Sequence, residues 1–426
     1  MNTSRYVWVA LLAIAAFPAG AAEFKDYPDL PPLNAVKQAL NAYPPVLGAQ
    51  AGIKLEQANK AKLTAGAYEY NVRLNAQRRE VRLDPSQQFN EWDVGVERYI
   101  RLPGKSALDD KLGAQGVDQA RLAHGDALHE AGRQLLKLWF EWVRATQTEA
   151  QWQGQVEALK QQLGIVTKRV QAGDAPQLEA LLAEAAMSQA QAAQLQAQLR
   201  AELVAAELAG RFPAVPLTQT PPLPLPEPLP QTLEHWREQV LHHNHELGLA
   251  HGEVQRWQLQ AQRARADQTP DPALGVRYAN ERGGEERLIG LNLTIPLPGQ
   301  ARTASTQGIQ AQAEIAVQKE AAVLARLNTE TVSAYASANA AYATWNKSRD
   351  AAERMQRNAD LASRAYQLGE AHLSDVLTAR RQALESALGA TLAQIDAGEA
   401  RYRLMLDAHQ LWPIDVDEDD KGHEHY

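Results

Sequence analysis

The sequence has no cysteine among its 426 residues and only 5 phenylalanines. The absence of cysteine excludes a disulfide framework, a thiolate metal site, a cysteine nucleophile and a lipid anchor on cysteine. A formal net charge of -8 argues against nucleic-acid binding, which needs a concentrated basic surface. The sequence also lacks a phosphate-binding loop, a paired His-Glu metal helix and a nucleophile motif. It therefore predicts neither an enzyme nor a cofactor.

The N-terminal segment is typical of a secretory signal peptide. Arg5 precedes an apolar run from Val7 to Phe17, and small residues follow that run. Its eleven residues are too few to span a bilayer, which argues against the alternative of a membrane anchor. We predict a signal peptide over residues 1–22, cleaved after Ala21 or Ala22. No later segment approaches the roughly eighteen uninterrupted apolar residues of a transmembrane helix.

The remaining chain contains two copies of one unit, residues 23–213 and 231–413. Each copy has a helical run, two alternating runs, a proline-glycine corner, a long helical run, a glycine break and a last helical run. Pro103-Gly104 returns as Pro298-Gly299, 195 positions later. The predicted elements are a helix at 34–65, strands at about 68–77 and 90–102, helices at 104–172 and 174–211, and, in the second copy, strands at about 272–282 and 286–297 and helices at 299–368 and 370–408.

Two segments lie outside the repeated units. The linker at 214–230 is rich in proline and should be extended. It predicts a strap that joins the two copies, although a proline-rich recognition motif for a partner domain is the alternative. The tail at 414–426 is acidic and contains histidine.

The four alternating runs place apolar residues on one face and polar residues on the other. Each is close to the roughly 9 to 11 residues that cross an outer membrane when tilted. The alternative is a pair of hairpins on a soluble core. Four strands cannot enclose a channel, since even about eight strands leave a filled interior. A barrel would therefore need several chains, and we predict polar hairpin tips at Arg78–Gln88 and Asn280–Glu286.

The two long helical runs each predict about 100 Å of helix at 1.5 Å per residue. Such lengths favour a coiled coil or a tube of helices. The shorter helices have about half that length, so two of them can stack end to end beside one long helix.

The second glycine break lies in the motif Tyr366-Gln-Leu-Gly-Glu-Ala-His-Leu-Ser-Asp-Val-Leu-Thr-Ala. With the export signal and the duplicated unit, this motif resembles the TolC family of outer-membrane efflux ducts. The resemblance implies a mainly α fold with a membrane β-hairpin pair, in a homotrimer. Its 12-stranded β-barrel, four strands per chain, would continue into a long α-helical periplasmic tunnel. It also implies contact with outer-membrane lipid, a periplasmic adaptor and an inner-membrane RND-type pump as partners, and no chemistry of the duct's own.

The resemblance assigns roles to several residues of the glycine breaks. Tyr366 and Gly369 match the periplasmic tip turn, and Asp375 matches an acidic pore residue. Two positions depart from the pattern, because Thr378 stands where a second aspartate is common and Ala371 where a basic gate residue is expected.

The first copy repeats the acidic pattern. Glu179 lies six residues after Gly173, as Asp375 lies six after Gly369, and Asp174 and Glu370 directly follow the two glycines. Three chains would place six carboxylates from Glu179 and Asp375 at one level, a cation-selecting constriction or gate. The alternative is that these four acidic residues are only helix caps or solvated side chains.

Cargo is indicated by the corners and, more weakly, by histidines. Leu102-Pro103-Gly104-Lys105 and Leu297-Pro298-Gly299-Gln300 resemble the heavy-metal ducts of the Czc type, which implies efflux of divalent cations of the cobalt, zinc and cadmium class. A multidrug or type I secretion duct is one alternative, and a periplasmic helical-hairpin adaptor is another. The weak metal candidates are His242 and His245, which would share a helical face, and the tail residues His423 and His425, although exposed histidines and a disordered tail explain them better.

Overall fold

The chain is mainly helical with one four-stranded sheet, as seen in a computed structural model that describes residues 25–82 and 84–414. The predicted signal peptide and the tail beyond Ile414 lie outside these residues. The mainly α fold class is confirmed, while the barrel and the trimer stay predictions. The elements are α1 (Leu33–Asn41), α2 (Pro44–Ala65), β1 (Tyr70–Val81), β2 (Gln87–Tyr99), α3 (Lys105–Gln171), α4 (Gln177–Arg211), α5 (Leu233–His243), α6 (His245–Ala266), β3 (Ala273–Glu281), β4 (Glu286–Thr294), α7 (Gln300–Gln367) and α8 (Leu373–Asp407).

The two long helices have almost equal lengths, 67 residues for α3 and 68 for α7. Each therefore extends about 100 Å. The return helices α4 and α8 have 35 residues each. In the described part of the chain, no helix combines the length and apolar character needed to cross a membrane.

The helix predicted over residues 34–65 is in fact two helices. α1 ends at Asn41 and α2 begins at Pro44, because proline lacks the N–H of a helical hydrogen bond and clashes with the preceding turn. The second unit breaks at Asn244, whose side-chain oxygen accepts a hydrogen bond from the Leu247 backbone N–H at 2.8 Å. This bond caps the start of α6. α2 and α6 have the same length, 22 residues.

The strands form one antiparallel sheet in the order β1-β2-β3-β4. The first hairpin is longer than predicted, since β1 continues to Val81 and β2 begins at Gln87. Polar side chains also pair within this extension, where the Arg78 guanidinium donates to the Gln88 side-chain oxygen. The last strand ends at Thr294, earlier than predicted, because Pro296 cannot donate to the ladder.

The two faces of the sheet differ in chemistry, as the alternation predicts. One face carries exposed apolar side chains, including Leu74 at 74% and Ile289 at 84% exposure. On the other face Arg277 Nε donates to Asp93 at 2.9 Å, and Asn75 donates to the same carboxylate at 3.2 Å. The sheet thus has an apolar face without a covering layer in the described chain, opposite a face of paired charges.

The largest apolar core lies midway along the long helices. Trp139 and Phe140 of α3 pack there with residues of α1, α4, α5 and α8. The proline-rich segment lies beside this core, and Gln394 of α8 donates to the backbone oxygens of Leu223 and Pro224 at 3.1 and 2.9 Å. This mid-level core holds the two units together.

Candidate functional site

The turns that follow α3 and α7 form one end of the molecule, which we call the tip. Both turns have the same geometry. Gly173 and Gly369 adopt φ angles of 81° and 79°, a left-handed conformation that glycine tolerates best. The N–H groups of Asp174 and Glu370 donate to carbonyls five residues back, at 2.8 and 2.9 Å. Because the residues directly after each glycine belong to the turn, the return helices begin three residues later than predicted.

Tyr366 connects the two hairpins of the tip. Its side chain is 3% exposed, and its hydroxyl donates to Glu179 Oε2 at 2.6 Å. The guanidinium carbon of Arg169 lies 4.5 Å from the ring centroid, within cation-π range. Burial, and secondarily the Glu179 carboxylate, raise the pKa of Tyr366 to about 12, so the hydroxyl stays protonated and remains a donor. The hydrogen bond therefore joins α7 of the second unit to α4 of the first.

A small apolar cluster surrounds this hydrogen bond. Its buried members come from both hairpins, so the cluster closes the tip within one chain. They are Val166, Ala180, Ala183, Tyr366, Leu373 and Val376.

Asp375 has a different role from Glu179, although the two occupy matching positions in the units. The Asp375 carboxylate accepts a hydrogen bond from the His372 backbone N–H at 3.3 Å, as part of a capping box at the start of α8. Asp375 is exposed, as are Asp174 and Glu370 directly after the turn glycines. Glu179 thus contacts the neighbouring hairpin, whereas the other three carboxylates face solvent in the single chain.

Arg380 is a tip residue that sequence reasoning missed. Its Nη1 donates to the Ala158 carbonyl of α3 at 3.3 Å, and its Nε donates to Ser363 Oγ of α7 at 3.3 Å. Burial lowers the pKa of Arg380. Its place in the Arg380-Arg381 pair, after an acidic tip, was the available signal. A basic group therefore bridges the two units, although Ala371 occupies the position where the resemblance expected one.

The two proline-glycine corners differ in geometry, contrary to the expectation from their sequences. Gly104 after Pro103 has a left-handed φ of 88°. Gly299 after Pro298 has φ -131° and ψ 173°, an extended conformation open to any residue. The shared tripeptide therefore makes a sharp left-handed turn only at the first corner.

The first corner also contains a buried ion pair that its second counterpart lacks. Lys105 is 2% exposed, and its Nζ lies 2.9 Å from Asp271 Oδ1 and 3.1 Å from Asp267 Oδ1. The backbone N–H of Leu102 donates to the same Asp271 oxygen at 3.0 Å. Gln300, which follows the second corner, is exposed. Lys105 thus ties the first unit to the segment between α6 and β3 of the second.

The candidate metal residues do not form a ligand set. His242 and His245 belong to different helices, since α5 ends at His243, so the prediction that they share a helical face is wrong. His243 and His245 instead lie near His409, with ring centroids 5.7 and 5.0 Å apart. In residues 25–82 and 84–414, no group of three or more His, Asp or Glu side chains is placed to hold a metal ion. His423 and His425 lie outside the described residues.

Comparison with known proteins bears on the second unit and on the fold of the whole chain. The family model described as outer membrane efflux protein matches residues 236–406. No curated protein sequence matches this chain significantly. The outer membrane protein VceC from Vibrio cholerae is 17% identical, with a TM-score of 0.71 over 88% of this chain and 95% of its own.

Two further solved structures share the fold. A membrane protein from Pseudomonas aeruginosa is 15% identical, with a TM-score of 0.73 over 98% of this chain and 99% of its own. The CmeC outer membrane channel from Campylobacter jejuni is 15% identical, with a TM-score of 0.66 over 91% and 87%. The second unit of this chain thus matches the outer membrane efflux protein family, and the chain has the fold of these outer-membrane proteins.

Proposed function

We propose that this chain is an outer-membrane duct of a tripartite efflux system. It would act as a homotrimer in the outer membrane and extend into the periplasm, where an adaptor would connect it to an inner-membrane RND-type pump. The match of residues 236–406 to the efflux family supports a transport duct rather than an enzyme.

One observation supports this proposal most directly. A sheet with an exposed apolar face lies at one end of helices that are about 100 Å long. Strands that alternate apolar and polar side chains suit a barrel with lipid outside and water inside. Four strands per chain require several copies to surround a channel, and three copies supply twelve strands.

The tip is the proposed gate. The Tyr366–Glu179 hydrogen bond and the apolar cluster around it hold the two hairpins together, so opening requires their separation. Carboxylates at this end would favour cations in a narrow passage. Glu179→Gln and Asp375→Asn should therefore reduce single-channel cation selectivity and block by multivalent cations, and unchanged selectivity would exclude the acidic constriction.

We further propose divalent heavy-metal cations of the cobalt, zinc and cadmium class as cargo. The support is the sequence of the two corners and the acidic tip. A deletion strain should become sensitive to these metals and recover when the gene is returned on a plasmid. Sensitivity only to drugs would favour a multidrug duct, and loss of protein secretion alone would favour a type I secretion duct.

The chief alternative from another class is a periplasmic helical-hairpin adaptor. A strand pair within each of two units argues against it, since such an adaptor needs a single long hairpin. Membrane fractionation separates the two functions. A heat-modifiable trimer in the outer membrane supports the duct, whereas recovery with the inner membrane or the soluble periplasm supports the adaptor.

A further inference from the structure

Two arginines and two glycines form one row across the polar face of the sheet. The strand register places them opposite one another, from β1 to β4, in the order Arg73, Gly95, Arg277 and Gly290. Each hairpin therefore contributes one opposed pair of arginine and glycine. The two glycines lie 195 positions apart, as the two corners do, so both units carry the pair. We call these four residues the arginine-glycine row.

The two glycines of the row are not required by the backbone of the sheet. Strand pairing continues through both without an inserted residue, and neither has a positive φ angle. A Cβ atom added to Gly95 would lie 3.6 Å from the Val276 carbonyl oxygen, and one added to Gly290 would meet nothing within 4 Å. At Gly275, by contrast, it would lie 2.8 Å from the Glu97 Cβ atom. Because glycine weakens a strand and often marks the close approach of a ligand, the open space at the row indicates a binding site.

The two arginines of the row cover carboxylates that lie deeper on the same face. Arg73 Nη2 lies 3.2 Å from Glu97 Oε1, and Arg277 Nε lies 2.9 Å from Asp93 Oδ1. The side chains of Glu97 and Asp93 are 22% and 13% exposed, whereas those of Arg73 and Arg277 are 63% and 47% exposed. Solvent at this level therefore meets guanidinium groups more than carboxylates.

The two guanidinium groups keep N–H donors that these ion pairs do not use. A guanidinium presents several N–H donors in a planar fork, a geometry that matches carboxylate and phosphate oxygens. Among the described residues, Arg73 makes one hydrogen bond through Nη2 and Arg277 makes one through Nε. Both side chains line a cavity of about 220 Å³, together with Gly95 and Asn292. The remaining donors and the open space therefore belong to one site.

We propose that the arginine-glycine row binds small oxyanions, such as phosphate or carboxylate groups. Arg73 and Arg277 donate to the anion, and Gly95 leaves the room that it occupies. Asp93 and Glu97 orient the guanidinium groups and limit the affinity, because they accept from the same fork of donors. The site rests on the proposed function only for its position inside the passage. There its charge is opposite to that of the acidic tip, so a cation that enters at the tip reaches a level near the exit that favours its counter-ion.

Inorganic phosphate tests the binding directly. Phosphorus NMR of phosphate, titrated into the detergent-solubilised full chain, detects weak binding as line broadening and needs no conducting channel. Ionic strength is held constant with chloride, so that screening does not change during the titration. Arg73→Gln combined with Arg277→Gln should raise the phosphate concentration for half-saturation at least about tenfold, because it removes charge-assisted hydrogen bonds. Unchanged binding by this double variant would overturn the site.

Two further variants separate binding from a structural role of the arginines. Gly95→Val keeps every charge and suits a strand, but its side chain fills the cavity, so it should also weaken phosphate binding at least about tenfold. Arg79→Gln is the matched control. Arg79 lies on the same face about 20 Å along β1, where Glu91 and Glu281 accompany it, and its loss should leave binding unchanged. Full binding by Gly95→Val, or an equal loss from Arg79→Gln, would show that the row is not the site.

Single-channel recordings test the position of the site in the passage. Phosphate added on the side of the sheet should reduce the current of the parent protein at a concentration at least about tenfold lower than it requires in the double arginine variant. Binding without any reduction of the current would overturn this position. If the parent protein conducts and phosphate does not bind, the site is wrong and the duct function stands. If phosphate binds but the parent protein does not conduct, the duct function fails and the site stands.

Discussion

The two units of the chain share one order of elements, but they bury different parts of it. At the first corner Lys105 is 2% exposed, whereas its counterpart at the second corner, Gln300, is exposed. At the middle level the buried His129 of α3 corresponds to Leu324 of α7, which is 40% exposed. The first unit lies against the second unit of its own chain, and the corresponding surface of the second unit has no such cover in the described residues. A duplicated sequence thus forms one internal interface, while the equivalent surface of the second unit stays exposed in the described part of the chain.

The largest effect should come from the corner where the units differ most. Lys105→Met leaves the Asp271 carboxylate without its cation, and loss of one partner of a buried ion pair costs about 3 to 5 kcal/mol of stability. Urea unfolding in detergent measures this loss. Gln300→Met at the exposed second corner is the matched control, with an expected change below about 0.5 kcal/mol. Equal effects at both corners would show that the two corners are equivalent after all.

A smaller effect should follow from removal of the hydroxyl at the tip. Tyr366→Phe keeps the buried ring and deletes the bond to the Glu179 carboxylate, which is worth roughly 1.5 to 3 kcal/mol. We expect a longer-lived open state in single-channel recordings. Tyr342→Phe makes the same chemical change on α7 outside the tip cluster and should leave gating unchanged. Combination with Glu179→Gln should add little, since both variants remove the same hydrogen bond, and full additivity of the two effects would contradict its role in holding the tip closed.

At the middle level, the first unit has a buried histidine, His129, where the second unit has Leu324, and this histidine makes stability depend on pH. Burial lowers the pKa of His129 below its ordinary 6.5, against the opposing influence of Asp407 3.5 Å away. The unfolded chain therefore binds this proton more readily, so stability is lost as pH falls below about 6.5, by at most about 1.4 kcal/mol per pH unit.

His129→Gln should flatten this slope. Unfolding free energies at several pH values between about 7 and 5 measure it. A slope equal to that of the parent protein would show that other groups carry the dependence.

The smallest effect should come from Asp375. Asp375→Ala removes the bond to the His372 N–H and costs roughly 0.5 to 1 kcal/mol, as for other helix caps. Thermal unfolding of the detergent-solubilised protein detects it. If Asp375→Ala opens the channel as strongly as Tyr366→Phe, then Asp375 and Glu179 are equivalent and the comparison between the two tip positions is wrong.

Much of the fold is predictable from local patterns. Alternation predicts the strands because successive side chains point to opposite faces, and long runs without proline predict the long helices. The return helices begin at Gln177 and Leu373, later than predicted. The turn after each glycine is held by backbone hydrogen bonds, which composition does not show. The break before Pro44 was visible in the sequence as a proline pair, a signal that the prediction did not use.

The candidate site was less predictable because its contacts join distant parts of the chain. Counting from the glycines finds Glu179 and Asp375 as equivalents, but only the fold brings Tyr366 to one of them. Arg380 similarly bridges α8, α3 and α7. Lys105 belongs to the corner motif, yet its partner Asp271 lies 166 positions away in the sequence. Periodicity describes which face a residue occupies and does not identify what a separate element places opposite that face.

The length of α3 has a mechanical consequence. Its apolar contacts concentrate near Trp139, and the helix continues to Gln171 at the tip, a distance of about 48 Å. With the mid-level core as fulcrum, a rotation of about 5° displaces the tip by about 4 Å. A displacement of this size between the two hairpins exceeds the range of the 2.6 Å hydrogen bond between Tyr366 and Glu179, so a small rotation at the core is enough to break the contact at the tip.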